Sequence, residues 1–310
     1  MNTRDSTTID LTIAAVERDT GIGKDTLRVW ERRYGFPAPA RDANGERIYP
    51  MVQVEKLRVI KRLMDQGHRP GRIVAQSIEA LQHLSRGEAS LQSSHAPHRS
   101  EVDGPLTACI AMLQMQDDEG LRSHLLKTLA QEGLQKFVTD WVAPLTSMVG
   151  DAWARGDLAV HEEHLYTECV SNIMRQAIAS IPKGATLTGP SVLLTTFPQE
   201  AHGLGLLMVE SLLSLQGCRC VSLGTQTPLR DIAQAAIAHE SDVVALSFSV
   251  NMNPNQIVDG LMELKLLMPE HIEIWVGGQA PALRRRAMDH VIVIQDLASI
   301  QAAVSAWSKR

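Results

Sequence analysis

The sequence predicts an α+β multidomain protein with three parts: a small basic helix-turn-helix unit with a wing, a four-helix bundle, and a C-terminal doubly wound α/β domain. Three observations carry this. Residues 21–72 hold 12 Lys/Arg against 6 Asp/Glu, a balance of +6 inside a 310-residue chain whose total is −5. Residues 105–182 keep a helical period almost without interruption, broken at Pro144 and Gly156 and closed by Pro182. From 190 onward, short apolar runs alternate with helical segments, the pattern of a parallel sheet covered on both faces.

In the first unit, Thr12–Val16 opens a helix, Gly21-Ile22-Gly23 makes a turn, and Lys24–Phe36 forms a second helix. Leu27 and Trp30 fall on its core face. Lys24, Arg28 and Arg32 recur at i, i+4, i+8 on another face, the arrangement of a helix lying in a DNA major groove. Asn44-Gly45 between short polar segments signals a hairpin, with Arg47 and Tyr49 on its exit side and Ile48 assigned to the core. A basic hairpin beside such a helix can reach phosphates as a wing. Helical charge stripes are most often solvated surface, so the stripe alone is a weak sign of function.

Residues 84–104, rich in Ser, Gly, Pro and His, read as a flexible linker between a unit at 10–80 and a bundle at 105–183. An α/β domain then occupies 184–310. Its strands are expected at 191–197, 218–223, 242–250, 272–276 and 291–295, and its helices at about 205–216, 228–239, 254–268, 281–289 and 297–308. Four strand-to-helix loops leave one sheet edge, reading Gln-Glu-Ala-His-Gly, Gly-Thr-Gln-Thr-Pro, Ser-Phe-Ser-Val-Asn and Gly-Gly-Gln-Ala-Pro. Ligands of open α/β sheets bind at that edge. Glu200, His202, Gly205, Thr225, Ser247, Ser249, Gly277 and Gly278 can therefore converge there. A histidine with a carboxylate two residues earlier is suited to metal ligation, because the carboxylate can orient the ring through its second nitrogen. A bare E-x-H-x-x-G also occurs by chance in capping loops.

The four cysteines (Cys109, Cys169, Cys218, Cys220) are too scattered for a disulfide framework or a zinc site. No apolar run reaches the roughly 18 residues of a membrane span, and Met1–Asp10 has no apolar signal core, so a cytoplasmic protein is expected.

The stretch Gly21–Tyr49, with Thr-Leu-Arg-x-Trp-Glu-Arg-Arg-Tyr-Gly followed by Pro, Arg and Gly-x-Arg-x-Tyr, resembles the MerR family of winged-helix regulators. That resemblance implies promoter DNA as partner and a protein dimer on it. It points to Arg28, Arg32, Arg33, Arg47 and Tyr49, together with Lys24 of the basic stripe, as DNA-binding residues.

The α/β part resembles the cobalamin-binding domain of methionine synthase and related proteins, with 41 residues between Gly205 and Ser247 and 27 between Ser249 and Gly277. The resemblance implies a Rossmann- or flavodoxin-like fold, with His202 as the lower axial cobalt ligand and Glu200 behind it. The serine region would line the channel for the displaced nucleotide tail, and the glycine pair would admit that tail. Trp153, nine intervening residues and Glu163-His164 resemble the signature of the CarH/LitR group of light-sensing MerR regulators. There the bundle covers the upper face of the cofactor, so Trp153 would pack on an adenosyl group and Glu163 and His164 would line its pocket.

Taken together, these resemblances imply an adenosylcobalamin-dependent, light-responsive regulator rather than an enzyme. It would be a repressor that binds promoter DNA in the dark as a tetramer and releases it when light breaks the cobalt–carbon bond. His161, His164 or water would then fill the open cobalt position, since Ala154 beside Trp153 offers no imidazole. Two alternatives stand beside this: a regulator with an altered or lost cofactor under a partner photoreceptor, and a cobalamin-dependent methyltransferase-like enzyme.

Overall fold

The computed structural model describes residues 10–42, 45–65, 68–81, 84, 103–182, 189–250, 252–285 and 291–309. The chain divides into two compact units, Met1–Arg99 with Asp151–Asp157, and Ser100–Gly150 with Leu158–Arg310. Of the expected linker 84–104, only Leu84, Asp103 and Gly104 are among the described residues, and Asp103 already begins a helix.

The first unit contains β1 (Asp10–Thr12), α1 (Ile13–Thr20), α2 (Lys24–Tyr34), β2 (Ala40–Arg41), β3 (Arg47–Pro50), α3 (Met51–Asp65) and α4 (Pro70–Ile73). Thr12 caps α1, its hydroxyl accepting from Ala15 N at 3.3 Å, which satisfies one of the unpaired N–H groups of the first turn. Gly21 and Gly35, both at φ 68°, end α1 and α2 in the left-handed conformation that glycine adopts without strain. The second helix therefore stops at Tyr34, short of the expected Phe36. Strands β1 and β2 flank β3 antiparallel, with Leu11 opposite Tyr49 and Arg41 opposite Arg47. Leu27, Trp30, Tyr49, Leu57, Ile60 and Ile73 form the core beneath. Asn44 of the expected hairpin turn lies outside the described residues, while Gly45 N donating to Asp42 O at 3.0 Å helps close the hairpin.

The bundle helices are α5 (Asp103–Gln114), α6 (Asp118–Lys136), α7 (Ala143–Arg155) and α8 (Val160–Ala179), all in the second unit except the end of α7 from Asp151. Between α6 and α7 the chain runs through a π-helical stretch, Phe137–Val142, preceded by non-helical Gly133. Pro144 does not break the helix as expected: the π-helical stretch runs directly into α7, Ala143 N bonding Val138 O, and the proline follows that wider turn. Gly156, at φ 82°, follows the end of α7. Buried Tyr166 shares a 2.7 Å hydrogen bond with Thr146, and burial raises its hydroxyl pKa.

Strands β4 (Ser191–Thr195), β5 (Arg219–Gly224), β6 (Val243–Phe248), β7 (Glu273–Gly278) and β8 (Val291–Val293) form an all-parallel sheet in the order β5-β4-β6-β7-β8. This is the flavodoxin-like order, which reverses beside the first strand. The connecting helices are α9 (Leu204–Leu215), α10 (Leu229–Ala238), α11 (Pro254–Leu267), α12 (Ala282–Arg285) and α13 (Ser299–Trp307). Leu193, Val244, Leu246, Ile274 and Val276 bury against Ile232, Ile257, Leu261 and Leu283 on one face. On the other face α9 packs beside α13 and against α6, α8 and the π-helical stretch, so bundle and sheet share α9. The part of the expected 281–289 helix beyond Arg285 lies outside the described residues up to 290. No described helix is long and apolar enough to cross a membrane.

Candidate cofactor loop and DNA-binding helix

The candidate cofactor loop leaves β4 at the point where the strand order reverses, and its shape is set by Glu200. That side chain is 2% exposed, yet it is a carboxylate. Its Oε1 accepts from His202 N at 3.0 Å and meets His202 Nδ1 at 2.5 Å, while Oε2 accepts from Ser249 N at 2.7 Å. Burial alone would raise its pKa, but the bonds from His202 and from Ser249 N–H outweigh it and hold Glu200 below the usual carboxylate range. The His202 side chain stays 63% exposed, so the loop presents an imidazole to the outside with its Nδ1 already engaged.

Several expected residues come together at this edge, though not all as loops. Ser247, Gly277 and Gly278 are the last residues of β6 and β7, with Ser247 paired to Gly277 and Phe248 to Gly278. Gly278, at φ 110°, lies so close to Phe248 that an added Cβ would sit 2.2 Å from its carbonyl oxygen. That carbonyl also accepts from Gln279 N and Ala280 N at 3.0 and 3.3 Å. A Cβ on Gly205 would lie 2.7 Å from Ser247 Oγ, so this glycine lets α9 start against the end of β6. Both glycines are thus required by the protein's own packing, not only by close approach of a ligand. Thr225 lies beside Gly203, where an added Cβ would be 3.2 Å from Thr225 Cγ2. The Ser249 hydroxyl oxygen is buried, and the side chain adds to the bonds that hold the Glu200 carboxylate down.

Two threonines escaped the sequence reading. Thr196, wholly buried, donates from Oγ1 to Glu200 O at 2.6 Å and accepts from Gln226 N at 2.8 Å, while its carbonyl accepts from Thr227 N at 3.1 Å. Thr195 Oγ1 meets Thr227 Oγ1 at 2.7 Å and donates to Gly224 O at 3.0 Å. The only sequence signal for them was a pair of hydroxyls closing an apolar run.

Glu163 and His164 lie in the first turn of α8 as a cluster of their own. Glu163 Oε2 meets His164 Nδ1 at 2.7 Å, and Oε1 accepts from Thr167 at 2.7 Å. Trp153, near the end of α7, falls in the Asp151–Asp157 segment that groups with the first unit.

On α2, Leu27 and Trp30 are buried, while Arg28, Arg32 and Arg33 are exposed. Lys24 pairs with Glu17 at 3.2 Å, and Arg28 with Asp25 at 3.0 Å. Both are surface pairs, of the kind that stabilises little. Two expectations for the wing need correction. Tyr49 is wholly buried, its hydroxyl without a hydrogen-bond partner among the described residues, and so presents no surface to DNA. It lies on the central strand because β1 adds to the hairpin, and a three-residue strand leaves no periodic trace in sequence. Ile48, two-fold alternate to it, is only half-buried. Arg47 shares the face of Tyr49, and its guanidinium binds Glu31 of α2 at 3.0 Å, which raises its pKa further.

The family described as "MerR HTH family regulatory protein" matches residues 11–75, and families described as "B12 binding domain" match 107–178 and 190–302. The chain belongs to the MerR family of helix-turn-helix, DNA-binding transcription regulators, in the branch that joins this unit to cobalamin-binding domains. Among its relatives, the HTH-type transcriptional repressor CarH of Myxococcus xanthus is 30% identical over 281 residues, covering 90% of each chain. The repressor CarA of the same organism is 30% identical over 273 residues, covering 86% of each. The monomethylamine corrinoid protein of Methanosarcina barkeri shares the fold, with a TM-score of 0.52 at 16% identity, over 64% of this chain and 96% of that one.

Proposed function

We propose that this protein is a light-responsive repressor that holds promoter DNA in the dark with adenosylcobalamin bound, and releases it on illumination. The observation that carries the reading is His202, an exposed imidazole fixed through Nδ1 by a buried carboxylate, on the same chain as a MerR-type DNA-binding unit. Among the described residues, no group of three or more His, Cys, Asp or Glu side chains gathers as a metal site. A single protein ligand is what a metal already held in a macrocycle requires, as with the proximal histidine of a haem. The residues present therefore fit cobalamin, with His202 Nε2 as the coordinating nitrogen and Glu200 fixing the tautomer.

Bound adenosylcobalamin supplies a cobalt–carbon bond that visible light breaks. The chain's own residues do the rest. Glu200 would orient His202, with Gly205, Thr225, Ser247, Ser249, Gly277 and Gly278 at the same sheet edge; Trp153, Glu163 and His164 are assigned to the cofactor by the resemblance of their Trp-x9-Glu-His spacing alone. On α2, Arg28, Arg32 and Arg33 bind phosphate and base edges, with Lys24 and Arg47 released from their acidic partners to join them. Dark tetramers would bring several basic units to one promoter and gain affinity through avidity.

The test is purified protein titrated with adenosylcobalamin in the dark and followed by absorbance, promoter binding and light scattering, before and after illumination. Tight binding, a dark oligomer and light-induced loss of DNA affinity are expected. Protein that retains no cobalamin sinks the reading. His202→Ala should lower cobalamin affinity about 10- to 100-fold; unchanged affinity would remove His202 as the ligand.

A further inference from the structure

We propose that Thr196 is the positioning residue that fixes how His202 is presented, by locking the β4–α9 loop to the β5–α10 loop. The inference rests on the cobalamin reading and extends it to a residue outside the Glu200–His202 motif. A threonine hydroxyl has one proton to give and lone pairs to receive. Thr196 uses both across two loops, donating to the main-chain carbonyl of Glu200 at 2.6 Å and accepting from Gln226 N at 2.8 Å. All of this happens at zero exposure, where water cannot replace either bond.

The bonded chain continues outward from there. Glu200 N donates to Phe197 O at 2.9 Å, closing the turn that Thr196 pins, and the Glu200 carboxylate then holds both His202 N and Nδ1. From the other side, Gln226 sits at φ 61°, an uncommon conformation for a non-glycine residue, and its side chain donates to Pro198 O at 3.2 Å. Thr227 N adds a bond to Thr196 O at 3.1 Å. The loop that carries Thr225 and the loop that carries His202 are thereby tied at three points around one hydroxyl-bearing residue. Removing the hydroxyl leaves a buried N–H and a buried C=O unmatched, so the loops must separate or admit water. The first group to feel that shift is the Glu200 carboxylate, and through it the angle of the imidazole.

The test compares full-length wild type, Thr196→Val and Thr196→Ser, each loaded with cob(II)alamin. Two quantities are read: affinity by absorbance titration, and, in 15N-histidine-labelled protein, the doublet superhyperfine splitting in the electron paramagnetic resonance spectrum, which distinguishes histidine coordination from the triplet of the cofactor's own base. Thr196→Val, which keeps the shape but not the hydroxyl, is expected to bind about 10-fold more weakly and to lose or diminish the splitting. Thr196→Ser is expected to keep the splitting and to bind within about 2-fold of wild type, since it retains the hydrogen bonds. A Thr196→Val protein with wild-type splitting and affinity overturns the inference. So does equal impairment of Thr196→Val and Thr196→Ser, which would assign the effect to packing. A wild-type complex without the 15N-histidine doublet instead removes His202 as ligand, so the two failures are distinguishable.

Discussion

Two short-range carboxylate–base pairs in this chain have opposite meaning. On α2, Asp25 and Arg28 meet at 3.0 Å with side-chain exposures of 95% and 49%. On the β4–α9 loop, Glu200 and His202 meet at 2.5 Å with Glu200 only 2% exposed. In the first pair water competes for every charge, so the interaction is weak and Arg28 can leave Asp25 for a phosphate. In the second the carboxylate is out of water, and three N–H groups of the protein replace the lost hydration. Burial, not distance, separates a readily exchanged contact from a fixed one. In the proposed function, a helix that binds DNA would need side chains that can be redirected, whereas a loop that holds a cofactor would need one that cannot.

The largest effect should come from removing the buried partner. Glu200→Ala strands the N–H groups of His202 and Ser249 and should lower unfolding free energy by about 3 kcal/mol, measured by denaturant titration. Asp25→Ala should leave stability unchanged, and equal losses for the two would erase the contrast. Next, Gly278→Ala puts a Cβ into the Phe248 carbonyl at a positive φ, and should cost about 2 kcal/mol in the same assay. An unaffected midpoint would show that the β6 and β7 ends can part freely. Arg28→Ala should weaken promoter binding by about 1 kcal/mol and reduce the salt slope by about one, with the cobalamin spectrum intact; an unchanged slope would remove Arg28 from the phosphate contacts. The smallest effect belongs to Tyr49→Phe. It deletes a buried hydroxyl that has no partner among the described residues, so DNA affinity should stay within about 2-fold and stability should hold or rise. A marked loss of DNA binding would instead return Tyr49 to the interface.

The two regions also differed in how much of them could be read in advance. On α2 the helical period alone separated Leu27 and Trp30 from Arg28 and Arg32, because a helix converts spacing directly into faces. On the wing the same logic failed at Tyr49, where burial depends on β1, a strand supplied from nearly forty residues away in the chain. At the cofactor edge, Glu200, His202 and their glycines were legible from their spacing. Thr196 was not, since its partner Gln226 is 30 residues distant and nothing periodic links them.

By itself the sequence determined the alternation of strands and helices after 190, the polarity of α2 and the loops that share one sheet edge, and its motifs carried the family resemblance. The elements, faces and loops follow from local period and turn chemistry, which neighbouring residues encode. Tertiary structure alone decided that Tyr49 is core, that Gly205 and Gly278 answer to Ser247 and Phe248, and that Glu200 stays charged while buried. Each of those outcomes rests on which distant backbone groups arrive to replace water, and that is set only when the chain has closed on itself.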